Sequence, residues 1–355
     1  MPLGAIAQLV AHLHGMQGVR GSSPLSSTPK QITFYYVQST NVRKEEMRIP
    51  SRWQARDITD QSGKRFLITG ATSGIGLEAA REIARAGGEV IIAARNPKKA
   101  EEVTARLGRE RVSWIEADFS SLQSVREAAK QVGEIDVLIL NAGIMAIPFT
   151  SSSDGFEMQI AVNHLGQFAF AGLISDRIKE RVVTVSSTAH RMGDFGGGSI
   201  DEIEDRMIAD RVRKGYAPWR AYGASKFANI LFTFELERLA RSRNYPFIAL
   251  VVHPGYSNTN LQYVAPQMKG DKRALKAIGF VNNVFAQSAS RGALPTLAAA
   301  TIQGIQGGSF IGPDGLLEVR GYPRFTRARS GAYDQQVARN LWHVSESLTG
   351  VTWRK

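Results

Sequence analysis

Thr69-Gly70-Ala71-Thr72-Ser73-Gly74-Ile75-Gly76 follows the apolar run Arg65–Thr69 and opens into a helical pattern that begins at Leu77. A strand, a glycine-rich turn and a helix in that order form the context of a phosphate-binding turn. Glycines allow the backbone to turn tightly and approach a pyrophosphate, while the free N–H groups at a helix start attract its charge. Read in isolation, the stretch is equally compatible with a glycine-rich loop that binds nothing.

The same alternation continues outward from this turn. Further strand candidates lie at 90–94, Val112–Glu116, 137–140, 181–186 and 247–252. Between them, 77–86, Pro97–Leu107, 122–132, 155–179 and 221–241 are each long enough for a helix. Strands that are apolar throughout and separated by helices predict an α/β domain, a doubly wound parallel sheet with helices on both faces. No period of 20 to 50 residues repeats, which excludes a solenoid. The one low-complexity spot is Gly196-Gly197-Gly198, inside a long connection after the fifth strand.

Composition narrows the chemistry. The chain has 355 residues, 43% hydrophobic and 21% charged, with no cysteine and a formal net charge of +12. That balance describes a globular protein rather than a disordered or collagen-like one. No stretch reaches the roughly 18 apolar residues of a membrane span. Zero cysteines exclude a disulfide scaffold, a Cys-ligated metal and a thiol nucleophile, and no metal site is expected. The positive charge points to an anionic partner, namely nucleic acid, a membrane surface or a phosphorylated small molecule. Nucleic acid is disfavoured, since no helix-turn-helix, zinc or stacked-aromatic motif is present and the basic residues are scattered.

Tyr222 and Lys226 are four positions apart, so on a helix they share a face. A phenol with a pKa of about 10 is a poor proton donor or acceptor near neutrality. A lysine ammonium beside it favours the phenolate and is expected to bring that pKa down. Asn141-Ala142-Gly143 closes the fourth strand candidate, and Val183-Thr184-Val185-Ser186-Ser187 ends the fifth. Asn163 lies in the helix between them, and Pro254-Gly255 with Thr259 follows the sixth strand.

In this order, from 69 to 259, these motifs resemble those of the short-chain dehydrogenase/reductase family, with weaker similarity running through Ile311-Gly312-Pro313-Asp314-Gly315 to the C-terminus. The resemblance implies a Rossmann-type fold and an oxidoreductase that transfers hydride between a nicotinamide and a carbonyl or alcohol. It implies that Tyr222 is the general acid or base and that Lys226 also bonds the nicotinamide ribose. By the same resemblance Ser187 holds the substrate oxygen, as the second serine of its pair. Asn163 positions a water that relays protons beyond Lys226. Gly70, Thr72, Ser73, Gly74, Ile75 and Gly76 would receive the dinucleotide. So would Asn141, Ala142, Gly143, Pro254, Gly255 and Thr259, and Asp118 would contact adenine. His164 has no metal-ligand partner at helical spacing and reads as structural.

Cofactor choice has a physical basis. NAD-selective sites carry an acidic residue at the end of the second strand to accept ribose hydroxyls. Here Ala94 stands in that place and Arg95 follows. A guanidinium pairs with a 2′-phosphate, so NADP is expected in preference to NAD.

One departure from the family concerns spacing. Ser187 and Tyr222 are far apart because residues 188–220 intervene, a longer connection that resembles the retinol-dehydrogenase-like and protochlorophyllide-reductase-like branch. Asn163-His164-Leu165-Gly166-Gln167-Phe168 and Ser225-Lys226-Phe227-Ala228-Asn229-Ile230-Leu231-Phe232 point the same way. The insertion is expected to shape the substrate pocket, with solvent-facing packing as the other reading. The branch hints at a hydrophobic substrate, and family habit is a dimer or tetramer.

Residues 1–46 match neither helix nor strand templates and carry no secretory signal pattern. They resemble the conceptual translation of a transfer-RNA gene. Ala7-Gln8-Leu9-Val10 corresponds to its D arm and Gly21-Ser22-Ser23-Pro24 to its T arm, in one frame. Translation is therefore expected to begin at Met47, and 47–355 to be a single catalytic domain. Four Lys/Arg and two Asp/Glu fall in the first 46 residues, so most of the charge belongs to the domain. A cytoplasmic enzyme is expected. The alternatives are a non-catalytic NADP sensor on the same fold and an isomerase or dehydratase using the same tyrosine.

Overall fold

Short apolar runs become strands because, within a sheet covered on both faces, successive side chains must bury in opposite directions. The computed structural model describes residues 48–257 and 286–353; residues 1–46 and Thr259 lie outside these. The strands are β1 Arg65–Thr69, β2 Glu89–Ala94, β3 Val112–Glu116, β4 Ile135–Leu140, β5 Ile178–Val185, β6 Ile248–Val252, β7 Phe310–Pro313 and β8 Pro323–Phe325. They form one sheet in the order β3-β2-β1-β4-β5-β6-β7-β8, parallel except for the β7–β8 pair. The fold is thus Rossmann-type.

Phe66, Ile68, Val137 and Ile139 bury on one face with Ala79, Ala80 and Ile83 of helix α1, Gly74–Arg85. Leu67, Leu138 and Leu140 bury on the other. There they meet α3, Leu122–Lys130, and a helix α4 built from Met158–Ile160, a π segment Ala161–Leu165 and Gly166–Leu173. Between them in sequence, α2 is Pro97–Leu107, started by Asn96, whose side chain accepts from the Lys99 N–H.

The helix expected over 155–179 is shorter than the length of that stretch allows. It ends at Leu173, and Ile178 already pairs with Ile135 at the start of β5. Ser175–Arg177 form a short 3-10 turn, and Lys179 and Glu180 already belong to the strand that follows it. β5 in turn stops at Val185, one residue before the expected end.

The insertion 188–220 is folded and packed. It holds a 3-10 turn, Thr188–Met192, and two short helices, α5 Ile200–Asp205 and α6 Ala209–Val212. Phe195, Ile203 and Met207 are buried with Phe156, Ile160 and Phe227. Next comes α7, Pro218–Arg243, the longest helix described. After β6 the described chain contains α8 Ala289–Gly292, α9 Leu294–Thr301 and, at the end, α10 Gln335–Thr349. Among the described residues no helix is long and apolar enough to cross a membrane, and no group of three or more His, Asp or Glu could hold a metal ion.

Candidate active site

β1 and β4 are neighbours, yet the chain leaves them in opposite directions across the sheet. A crevice opens at the carboxyl ends of strands where the order reverses in this way, and ligands bind there. The glycine-rich turn leaves β1 at this point and Asn141-Ala142-Gly143 leaves β4 beside it.

Close approach explains two of the glycines. A Cβ on Gly70, whose φ is +70°, would lie 2.8 Å from the Ala142 Cα, and one on Gly76 would lie 2.9 Å from the Gly70 carbonyl oxygen. Asn141 fastens the turn by donating from Nδ2 to the carbonyls of Thr69, at 2.9 Å, and Gly70, at 3.3 Å. Thr69 completes the clasp, because its hydroxyl accepts from the N–H groups of Asn141 and Ala142 and reaches Gln167 Oε1. Ser73, the N-cap of α1, makes no side-chain cap hydrogen bond. Thr72, Gly74 and Ile75 are partly exposed around it. A narrow backbone cradle with an uncapped helix start suits a pyrophosphate, and these residues fit a dinucleotide.

At the far end of the crevice Ala94 closes β2 and Arg95 stands exposed beyond it. Asp118 follows β3, where its Oδ1 accepts from the Ser120 N–H at 2.9 Å and the Ser120 hydroxyl at 2.7 Å.

The first turns of α7 bring Trp219, Tyr222 and Lys226 onto one face, since offsets of three and seven residues nearly close helical turns. Tyr222 and Lys226 are 5% and 3% exposed. Lys226 Nζ donates to the Val185 carbonyl at 3.0 Å and stands 5.9 Å from the Tyr222 ring centroid. The expectation that lysine lowers the tyrosine pKa is not met. Burial pushes Tyr222 up to about 12, opposed by its hydrogen bond with the Ser187 side chain. Burial likewise brings Lys226 down to about 8. The ammonium is directed at a backbone carbonyl, and desolvation dominates both groups.

Ser186 and Ser187 separate clearly. Ser186 is buried and donates its hydroxyl to the Lys226 carbonyl at 2.7 Å. Ser187 caps the following turn, accepting from the Ala189 N–H at 3.1 Å, and its side chain faces Tyr222.

Asn163 lies in the π segment and is fully buried. Its Oδ1 accepts from the Ile144 N–H at 2.8 Å, while Nδ2 donates to the Ile144 carbonyl and to Ser225 Oγ, each at 2.9 Å. The side chain is thus committed to holding the segment after Gly143. π turns of this kind recur at functional sites. Pro254 and Gly255 follow β6, and Gly255 takes a φ of +66°.

Ser225 and Thr69 do work that their neighbours' motifs concealed, since both lie inside quoted stretches as unassigned positions. Trp219, 41% exposed, meets the Tyr222 ring edge-to-face at 6.1 Å. Its signal was one turn of helical spacing before the tyrosine. A cavity of about 330 Å³ opens elsewhere, lined by Tyr216 of the insertion and by Arg220 and Ala224 of α7. Its charged lining includes Asp194, Glu202 and Arg211, and Tyr222 does not contribute to it.

His164 is structural in its setting. It is buried, its pKa is driven down to about 3 by desolvation, and Nε2 meets Ser345 Oγ of α10 at 2.8 Å.

Comparison with known proteins adds an independent line. Residues 64–199 match the family model described as short chain dehydrogenase. Retinol dehydrogenase 13 of Homo sapiens is 34% identical over 301 residues, spanning 81% of this chain and 85% of that protein. Polyprenol dehydrogenase of Homo sapiens is 31% identical over 301 residues, spanning 80% of this chain and 84% of that protein. Among solved structures, an uncharacterized protein from Mycobacterium Paratuberculosis superposes with a TM-score of 0.71 at 39% identity, covering 86% of this chain and 100% of that one.

Proposed function

The chain belongs to the short-chain dehydrogenase/reductase family, in its retinol-dehydrogenase-like branch, and from that premise we propose an NADP-dependent oxidoreductase that interconverts a small-molecule carbonyl and its alcohol. The observation that carries the reading is the convergence of Tyr222, Ser187 and Lys226 at the mouth of the switch-point crevice.

When bound, the nicotinamide supplies or accepts the hydride. The protein's own residues do the rest. Ser187 orients the substrate oxygen toward Tyr222, whose phenol is protonated at neutral pH and can donate to an oxygen that gains negative charge. In the oxidative direction the same group accepts the alcohol proton, which requires its pKa to fall from about 12. Lys226, with three donors and one backbone acceptor named, has capacity to bond a ribose hydroxyl and to return protons to Tyr222. Asn163 keeps the 141–144 segment in register with the lysine, and its part in a water relay belongs to this same reading.

Arg95 is the basis for preferring the 2′-phosphorylated cofactor, since no carboxylate occupies the end of β2. Trp219 beside Tyr222 offers an apolar wall, consistent with a hydrophobic carbonyl or alcohol and with an insertion that bounds the pocket.

A panel of aldehydes, ketones and alcohols assayed with NADPH and NADH tests the reading. Stoichiometric NADPH oxidation on one or more carbonyls is expected, with Tyr222→Phe lowering kcat by about 10²–10⁴-fold while dinucleotide affinity holds. Turnover without net dinucleotide consumption would establish isomerase or dehydratase chemistry instead. Unchanged turnover in Tyr222→Phe would refute the proton-transfer role.

A further inference from the structure

The loop that begins the Ser187 turn and the Pro254–Gly255 loop leave different strands, β5 and β6, and each is tied to the same side chain. His253 is fully buried between β6 and Pro254. Its Nδ1 accepts the Gly255 N–H at 3.2 Å, so Nε2 carries the proton and donates to Glu318 Oε2 at 2.9 Å. Glu318 also receives Arg191 Nη2 at 3.3 Å and the Thr326 hydroxyl. Arg191 belongs to the turn that Ser187 caps, and its neighbour His190 holds the Ser187 carbonyl through Nδ1 at 2.7 Å.

The surrounding backbone is shaped to deliver this carboxylate. Leu317 and Glu318 take φ of +53° and +58°, a left-handed pair that residues with a Cβ rarely adopt. A Cβ on Gly312 of β7 would fall 2.1 Å from His253 Nε2, so only glycine lets that strand pass the ring. Phe310 packs against both histidines, 5.8 Å from His190 and 5.3 Å from His253. Next to Glu318, the Val319 carbonyl accepts the Tyr256 N–H at 2.7 Å.

We propose that Glu318 is a positioning residue that fixes the Ser187 turn and the Pro254–Gly255 loop relative to each other, so that the substrate-oxygen site and the dinucleotide site are assembled as one unit. The inference rests on the oxidoreductase reading for its meaning. The mechanical link itself lies between loops of the free protein. Glu318 touches neither reacting group; it acts through Arg191 on one side and through His253 on the other. Two arms meeting on one carboxylate imply coupling, because loss of either arm leaves the carboxylate free to shift away from the other.

Hydrogen exchange on the free protein, paired with direct titration of NADPH, tests the coupling. In Glu318→Ala, peptides covering 186–193 and 252–257 are both expected to exchange faster while the β1–β4 core keeps its protection. NADPH Kd is expected to rise about tenfold, with Glu318→Asp recovering part of it. Arg191→Met guards against a Glu318 variant that fails to fold. It too is expected to deprotect 252–257, which Arg191 reaches by hydrogen bonds through Glu318. Wild-type exchange in 252–257 of Arg191→Met, uniform deprotection across the sheet, or unchanged NADPH affinity in folded Glu318→Ala would each overturn the proposal. Wild-type protein that binds neither NADPH nor NADH would overturn the functional reading, and that outcome is distinct from an exchange result on the free chain.

Discussion

Burial acts on Tyr222 and Lys226 in opposite senses, and the consequence for stability has a definite sign. Lys226 titrates at about 8 in the folded chain against 10.5 for an ordinary lysine. Between those values the unfolded chain binds more protons, so stability rises with pH across that window. Tyr222, raised to about 12, opposes the trend only above pH 10, its ordinary value. Urea midpoints measured from pH 8 to 9.5 should therefore climb for the native protein, and this contribution should vanish in Lys226→Met. Arg95 gives a prediction of a different kind. A charge-assisted hydrogen bond is worth about 1.5–3 kcal/mol, so Arg95→Ala should weaken NADPH binding by roughly 10- to 100-fold and leave NADH nearly unaffected. Titration of both dinucleotides decides it, and equal losses for the two would show that Arg95 does not read the phosphate.

At the scale of elements, the C-terminal helix α10 and the residues after it seal the α4 side of the sheet. Trp353 is 1% exposed and packs on Phe168, Phe232 and Trp342 with centroid separations of 5.8, 5.9 and 5.1 Å. Truncating a buried aromatic costs about 3–5 kcal/mol, and Trp353→Ala should lower the unfolding free energy by that amount in a denaturant titration. A loss below 1 kcal/mol would mean that this corner is not part of the cooperative core. Such packing was invisible in the sequence, where Trp353 is one aromatic among polar neighbours with no period to place it. By contrast β1, the glycine-rich turn and α1 were legible from a few residues, because strand, glycine spacing and helix start are all local. Tyr222 and Lys226 were legible for the same reason. Ser187 was set apart from Ser186 only by resemblance, as the second of the pair, since what separates them physically is the Lys226 carbonyl, brought near only by folding. Glu318 carries no local signal whatever, and two of its partners, Arg191 and His253, come from distant stretches of the chain. The pKa of Tyr222 escaped prediction because spacing reports which residues share a face but not where the ammonium points.

On the scale of the whole molecule, the sheet order sets which parts of the chain must meet before the crevice exists. β1 pairs with β2 on one edge and with β4 on the other, through Phe66 and Val137. The glycine-rich turn is local, but its meeting with the 141–143 segment depends on the β1–β4 pairing, and contacts of long sequence separation slow folding. On a ribosome adding ~5–20 residues per second, β4 is synthesised roughly 4–14 s after β1. Through that interval one edge of β1 has apolar residues and unpaired backbone groups with no strand beside them, the condition under which chains self-associate. The switch point that makes the crevice is thus also where β1 must wait, one edge unpaired, for a strand made much later in synthesis.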